Sequence, residues 1–241
     1  MTTPARPAYD APAEARRLLR SVRAATLATL QPGTGFPLAT LTSIASDYDG
    51  APILLMSQLS THTRNLQADG RCSLLLAQGG KGDPLAHPRL SLVGTAHQMT
   101  EPAKRQQLRA RFLNRNPKAA LYADFGDFSF WRVEVALAHL NGGFGKAAEF
   151  AGGELVCPVP EGLAEAEAGL LETLNQQGRK PVQAMAVAAG AAALPWRATG
   201  LDAGGMDLAA GENLWRLDFA SHFTATGALA RHVSSMCGML Q

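Results

Sequence analysis

Charge is scarce in this chain and nearly balanced. Asp, Glu, Lys and Arg make up 17% of the 241 residues, and the formal net charge is +2. A nucleic-acid binder needs a clustered basic face, and the sequence supplies none. Disorder is excluded from the other side, because 46% of the residues are hydrophobic and a packed core is easily built. Cysteine is scarcer still. Cys72, Cys157 and Cys237 stand far apart and form no CxxC pair. That odd, sparse set excludes a disulfide scaffold and fits a reducing cytosol. The opening Met1-Thr2-Thr3-Pro4-Ala5-Arg6-Pro7 lacks the apolar core of a signal peptide. No run of about 18 uninterrupted apolar residues occurs, so no membrane span is expected. The apolar segment Ala184 to Leu194 is too short. A cytoplasmic protein is the expectation.

Local catalytic and metal signatures are missing as well. The histidines His62, His87, His97, His139, His222 and His232 never stand at i, i+4, so no zinc site is written locally. There is no GxSxG elbow, HExxH or pair of catalytic carboxylates. Gly142 to Gly145 does not sit between a strand and a helix of a βαβ unit, which excludes a dinucleotide fingerprint. Asp202 to Asp207 lacks the spacing and closing Glu of a calcium loop and reads as a turn.

What is present begins with the stretch from Ile53 to Leu76. An apolar run, Ile53-Leu54-Leu55-Met56, stops at Ser57. Hydroxyls, an imidazole, a guanidinium and an amide follow in Ser60-Thr61-His62-Thr63-Arg64-Asn65, and a second apolar run starts at Cys72. A strand leading into a helix start is a sensible phosphate cradle, because the first helical N–H groups are unpaired and point outward. Arg64 would add a charge-assisted hydrogen bond. The plainer reading of the same residues is a helix capped by Ser60 or Thr61.

The rest of the chain alternates. Pro12 to Arg23 reads as a helix with Ala15, Leu18, Leu19 and Val22 inward and Arg16, Arg17, Arg20 and Arg23 toward solvent. Strands are predicted at Ala25 to Leu30, Pro37 to Ile44, Pro88 to His97 and Phe125 to Glu134, and short turns between strands imply antiparallel pairing. Thr100 and Pro102 predict the start of a helix running to Asn114. Arg89 and Arg132 fall within strands, where they face either a pocket or a rim. Composition shifts near residue 150. The boundaries read as a flexible N-terminus over 1–11, a barrel over 12–150, a Gly/Pro-rich linker over 151–162 and a small α+β unit over 163–241. In the last unit helices Leu163 to Gln177, Val182 to Ala193 and Thr224 to Leu240 flank strands at Trp196 to Leu201 and Asn213 to Phe219.

Several motifs recur in a known order: Ser57-x-Leu59-x-x-His62-Thr63-x-Asn65-Leu66, Asp69-x-x-x-Ser73-Leu74, Arg89-Leu90-Ser91-Leu92-x-Gly94, Pro117-x-Ala119, Asp127-Phe128-Ser129-x-x-Arg132 and Gly142-Gly143-Phe144-Gly145-Lys146-Ala147. In this order they resemble the FMN-binding split barrels related to pyridoxamine 5′-phosphate oxidase, and within them the HugZ/HutZ haem-utilisation branch. The C-terminal residues, through Gly200-x-Asp202-x-x-Gly205-x-Asp207-Leu208 and Arg216-Leu217-x-Phe219, are similar to the small α+β domain often fused to this barrel. The resemblance implies an α+β protein: an antiparallel six-stranded split β-barrel with flanking helices, then a small α+β domain. It implies a symmetric homodimer with the cofactor at the subunit interface. The matching flavin positions are Ser57, His62, Thr63, Arg64 and Asn65, with Thr42 and Ser43 as flavin neighbours. The expectation is an FMN-binding flavoprotein acting as an oxidoreductase on a small molecule. Haem is the alternative cofactor, with Arg89 and Asp127 on the haem side. Haem-degrading members ligate iron through a C-terminal histidine, whereas Ala147 to Ser221 here contains none, and Thr173-Leu174-Asn175-Gln176-Gln177-Gly178 stands where a His-Met-Asn-x-Asp-His pattern is usual. A non-catalytic dimeric barrel is the third reading.

Overall fold

The computed structural model describes residues 9–238 apart from Phe144. Most of the expected loose N-terminus, Phe144 of the Gly-rich turn and Leu240 of the closing helix therefore lie outside the described residues. Helix α1 (Ala11–Ser21) starts where Asp10 accepts from the Ala13 amide at 2.9 Å, with Pro12 in the first turn. Its buried residues Ala15, Leu18 and Leu19 pack into the barrel core.

Six strands close that barrel: β1 (Ala24–Leu30), β2 (Pro37–Ser46), β3 (Pro52–Ser57), β4 (Arg71–Ala77), β5 (Arg89–Gln98) and β6 (Phe128–Asn141). The order is β3-β2-β1-β4-β5-β6, every pairing is antiparallel, and a β3–β6 pairing completes the ring. The alternating sequences of β1, β4 and β5 follow from this position, with Leu27, Leu74, Leu76, Leu90 and Leu92 pointing into the core. Strand β3 is apolar without alternation because both its faces are covered. Leu54 and Met56 face the barrel interior, while Ile53 and Leu55 pack with Leu108 and Phe112 of helix α3 (Pro102–Arg115). Helix α2 (Thr61–Ala68) lies between β3 and β4, and its Leu66 enters the barrel core.

Two details differ from the sequence expectation. Glu101, not Thr100, caps α3, its carboxylate accepting from the Ala103 and Lys104 amides at 2.9 and 2.6 Å. Strand β6 runs on past Glu134 to Asn141 and turns back into a further strand, β7 (Ala147–Ala151). The register between β5 and β6 shifts at Val93/Gly94. A Cβ at Gly94 would stand 2.0 Å from the Glu134 carbonyl oxygen, so the close approach there requires glycine.

After β7 the chain passes through a short helix, α4 (Gly152–Leu155), into a second hydrophobic cluster. This is built by α5 (Leu163–Gln176), α6 (Arg179–Ala188), the meander β8 (Arg197–Asp202), β9 (Gly205–Ala210) and β10 (Asn213–Asp218), and α7 (Thr226–Gly238). Trp196, Leu201, Met206, Leu208 and Val233 form its centre, and Tyr48 from the barrel joins it.

The two clusters meet across buried charge. The Arg20 side chain does not face solvent, as its helical phase suggested. Its Nη1 lies 2.7 Å from Asp202 Oδ2, without hydrogen-bond alignment, while Nη2 donates to the Tyr48 carbonyl at 3.2 Å. Arg216 grips the same carboxylate through Nη1 and Nη2 at 2.5 and 2.8 Å and reaches Asp207 at 3.0 Å. Arg111 pairs with Glu167, whose other oxygen accepts from the Tyr48 hydroxyl at 2.7 Å. Arg115 donates to the carbonyls of Arg20 and Val22 at 2.6 and 2.8 Å. The turn expected over Asp202 to Asp207 is confined to Ala203 and Gly204, because Gly205 to Asp207 already belong to β9, and the Asp202 and Asp207 carboxylates serve this network. Burial alone would raise the Asp202 pKa. Arg20 and Arg216 outweigh that and hold the carboxyl well below the usual range.

Candidate functional site

Two regions carry the residues singled out in the sequence. The first is the start of α2. Ser60 occupies the N-cap position but makes no capping bond with its side chain. Its hydroxyl bonds instead to the Ser57 carbonyl and to Thr63 Oγ1, both at 2.7 Å. Ser57 donates to Asp127 at 2.5 Å and accepts from the Leu59 amide at 3.1 Å. Arg64 folds back on the Leu59 carbonyl and Thr61 Oγ1 at 3.1 and 3.2 Å. Thr63 is fully buried, and Asn65 donates to Thr29 inside the barrel at 3.0 Å. His62 Nδ1 lies 3.0 Å from Thr40, and burial lowers its pKa. Ser57, Ser60 and Thr63 are thus brought together with Asp127, and their hydroxyls are satisfied within that group. What stays open is the set of first-turn amides of α2.

The second region is the outer face of the barrel. Register aligns Leu41, Thr26, Leu75, Ser91, His139 and Glu149 in one row across β2, β1, β4, β5, β6 and β7. The next row is Ala39, Ala28, Ser73, Val93, Leu137 and Ala151. Leu41 is 75% exposed, Val93 42%, Leu75 39% and Leu137 36%. Leu75, Val93 and Leu137 adjoin one another across β4, β5 and β6, with Leu41 two strands away beyond Thr26, which makes this face largely apolar. Along the row beyond, Ser43 pairs with Ala24, and Ala77, Arg89, Asn141 and Ala147 are aligned. Arg89 donates from Nη1 to the Leu85 carbonyl at 3.0 Å and forms no ion pair among the described residues. A cavity of about 560 Å³ opens here, lined by Leu75, Arg89, Ser91, His139, Asn141 and Glu149.

Strand geometry separates residues that the sequence grouped. Thr42 faces inward and bonds to the Ser43 carbonyl at 3.3 Å, while Ser43 faces out, because neighbours on a strand take opposite faces. Arg89 and Asp127 lie at opposite ends of the 14-residue β6: Arg89 opposite Asn141, and Asp127 beside Phe128, which pairs with Ser57. One chain does not bring them together. His139 carries no signal in the sequence, since it sits in the apolar run Val135 to Leu140 with neither a motif nor a partner histidine. Among the described residues no group of three or more His, Cys, Asp and Glu could hold a metal ion, and no helix is long and apolar enough to cross a membrane.

A closed six-stranded antiparallel barrel with flanking helices and an uncovered outer face defines the class. Residues 6–154 match the family described as CREG, beta-barrel, and the chain belongs to that family. A structure from Agrobacterium tumefaciens, of unknown function, is 33% identical over 98% of both chains with a TM-score of 0.83. A haem-binding protein from Mycobacterium smegmatis is 28% identical, covering 95% of this chain and 96% of its own, with a TM-score of 0.58. The chloroplastic non-canonical haem oxygenase HOZ of Arabidopsis thaliana is 37% identical over 115 residues, which is 47% of this chain and 34% of that protein. The chain therefore spans about a third of that curated relative.

Proposed function

We propose that this protein binds haem on the outer barrel face, between two copies of the chain. The observation that carries the reading is the combination on that face of exposed leucine and valine with a guanidinium free of any carboxylate. A porphyrin offers the complement: a flat apolar ring and two propionates. Arg89 would hold a propionate through a charge-assisted hydrogen bond, and Leu75, Leu137 and Val93 would cover the ring. A second copy covers what the first leaves exposed, in the symmetric dimer that self-complementary apolar faces favour. Two relatives with haem in their names, from Mycobacterium smegmatis and Arabidopsis thaliana, support this choice. Iron, when bound, supplies electron and oxygen chemistry, and the protein's part is to hold and tune it. Residues 163–241 act in this reading as the support that fixes α1 and α3 against the barrel.

Titration of the purified protein with haemin, followed in the Soret region, tests the reading. Saturable uptake is expected, and Arg89→Ala should weaken it by about 10-fold or more, as loss of one charge-assisted bond of ~1.5–3 kcal/mol implies. An unchanged spectrum on haemin addition would overturn it. One observation favours a second reading, FMN with its phosphate at α2: the helix N-terminus lacks a side-chain cap. In that case FMN binds, Arg64→Ala weakens it, and Arg231→Ala does not. Equal FMN affinities for the two variants would end the flavin reading.

A further inference from the structure

Resting on the haem reading, we propose that His139 is the iron ligand of the outer face and that Glu149 is its positioning residue. His139 is directly opposite Ser91 on β5 and Glu149 on β7, and Arg89 is its diagonal neighbour one pair further along. All of these line the cavity of about 560 Å³ on the apolar face. The imidazole is half-exposed, and its Nδ1 lies 3.1 Å from Glu149 Oε1. With the Nδ1 proton donated to that carboxylate, the lone pair resides on Nε2. This is the tautomer that ligates a metal, and the carboxylate raises its basicity. The hairpin from β6 to β7 creates the pair, because it sets residue 149 against residue 139 in register.

Of the other five imidazoles four have partners elsewhere, and His222 lies against Gly204 in the C-terminal unit. His62 bonds to Thr40, which pairs with the buried Leu27 on the inner side of the sheet. His87 contacts the Lys81 carbonyl, His97 lies beside Glu134, and His232 is edge-on to Phe219. An imidazole therefore stands on a barrel strand on the face that has the free arginine, whereas His222 and His232 of the C-terminal unit are not among the residues lining that cavity.

Resonance Raman spectroscopy of the haemin-loaded, reduced full-length protein reads the ligand directly through the iron–imidazole stretching band. The wild type is expected to show the band. His139→Ala should lose it while keeping its far-UV circular dichroism and melting temperature, and added imidazole should restore it. Glu149→Gln should keep the band at lower frequency, and His62→Ala should leave it unmoved. A band that persists in His139→Ala with haem still bound would overturn the assignment, as would haem-loaded wild type without any such band. Failure of the wild type to take up haemin at all would instead overturn the haem reading on which the assignment rests.

Discussion

At Asp202 a fully buried carboxylate faces the guanidinium groups of Arg20 and Arg216, 182 and 14 residues away in the chain respectively. Removing one partner of such a cluster leaves uncompensated buried charge, so Asp202→Ala should cost about 3–5 kcal/mol in urea unfolding. A loss below about 1 kcal/mol would show that the network is dispensable. The pH dependence has a defined sign. The folded-state pKa of Asp202 is depressed, so its contribution is complete above the unfolded value of about 3.9 and is lost as pH falls toward the folded one. Wild type should therefore lose stability below about pH 4, and the dependence should be shallower in Asp202→Asn. Cys72 behaves oppositely: burial pushes its thiol up to about 11, which predicts slow alkylation at neutral pH until the barrel opens. None of this is legible from local sequence. Arg20 sits in a helix whose other arginines point outward, and only the fold reveals its partner.

At the scale of elements, alternation in β1, β2, β4 and β5 carried the barrel, because one face of each strand is core and the period of two survives in the sequence. The two-sided burial of β3 was readable as an unbroken apolar run between turns. The second half of β6 and all of β7 carry no such alternation. Apart from His139, Val135 to Leu140 is apolar on both faces, and so the alternation vanishes. Ala147 to Ala151 is only five residues long, three of them alanine, behind a Gly-rich turn. The loss of signal and the presence of the patch have the same cause. Leu75→Glu or Leu41→Glu places charge on an exposed position of that face, so each variant should fold. Sedimentation velocity is expected to find dimer for wild type and monomer for each variant. Identical sedimentation of wild type and variants would argue that the face has no second copy on it.

For the molecule as a whole, the barrel and the C-terminal unit are joined by Arg20 and Arg111, which reach Asp202 and Glu167, with Arg216 and Asp207 completing the buried cluster. The site was legible only in pieces. The α2 segment stood out because its polar residues are consecutive, and folding does cluster them. Arg89 stood out as a charge within a strand. That Arg89 stands near His139 while Asp127 lies at the far end of β6 depends on strand register, which no local pattern encodes. Native mass spectrometry of the protein loaded with haemin tests the central claim most directly, because it counts chains and haem groups together. The account predicts haem carried by a two-chain species and absent from Leu75→Glu monomers. Haem carried equally well by a single chain, or by neither species, would contradict it.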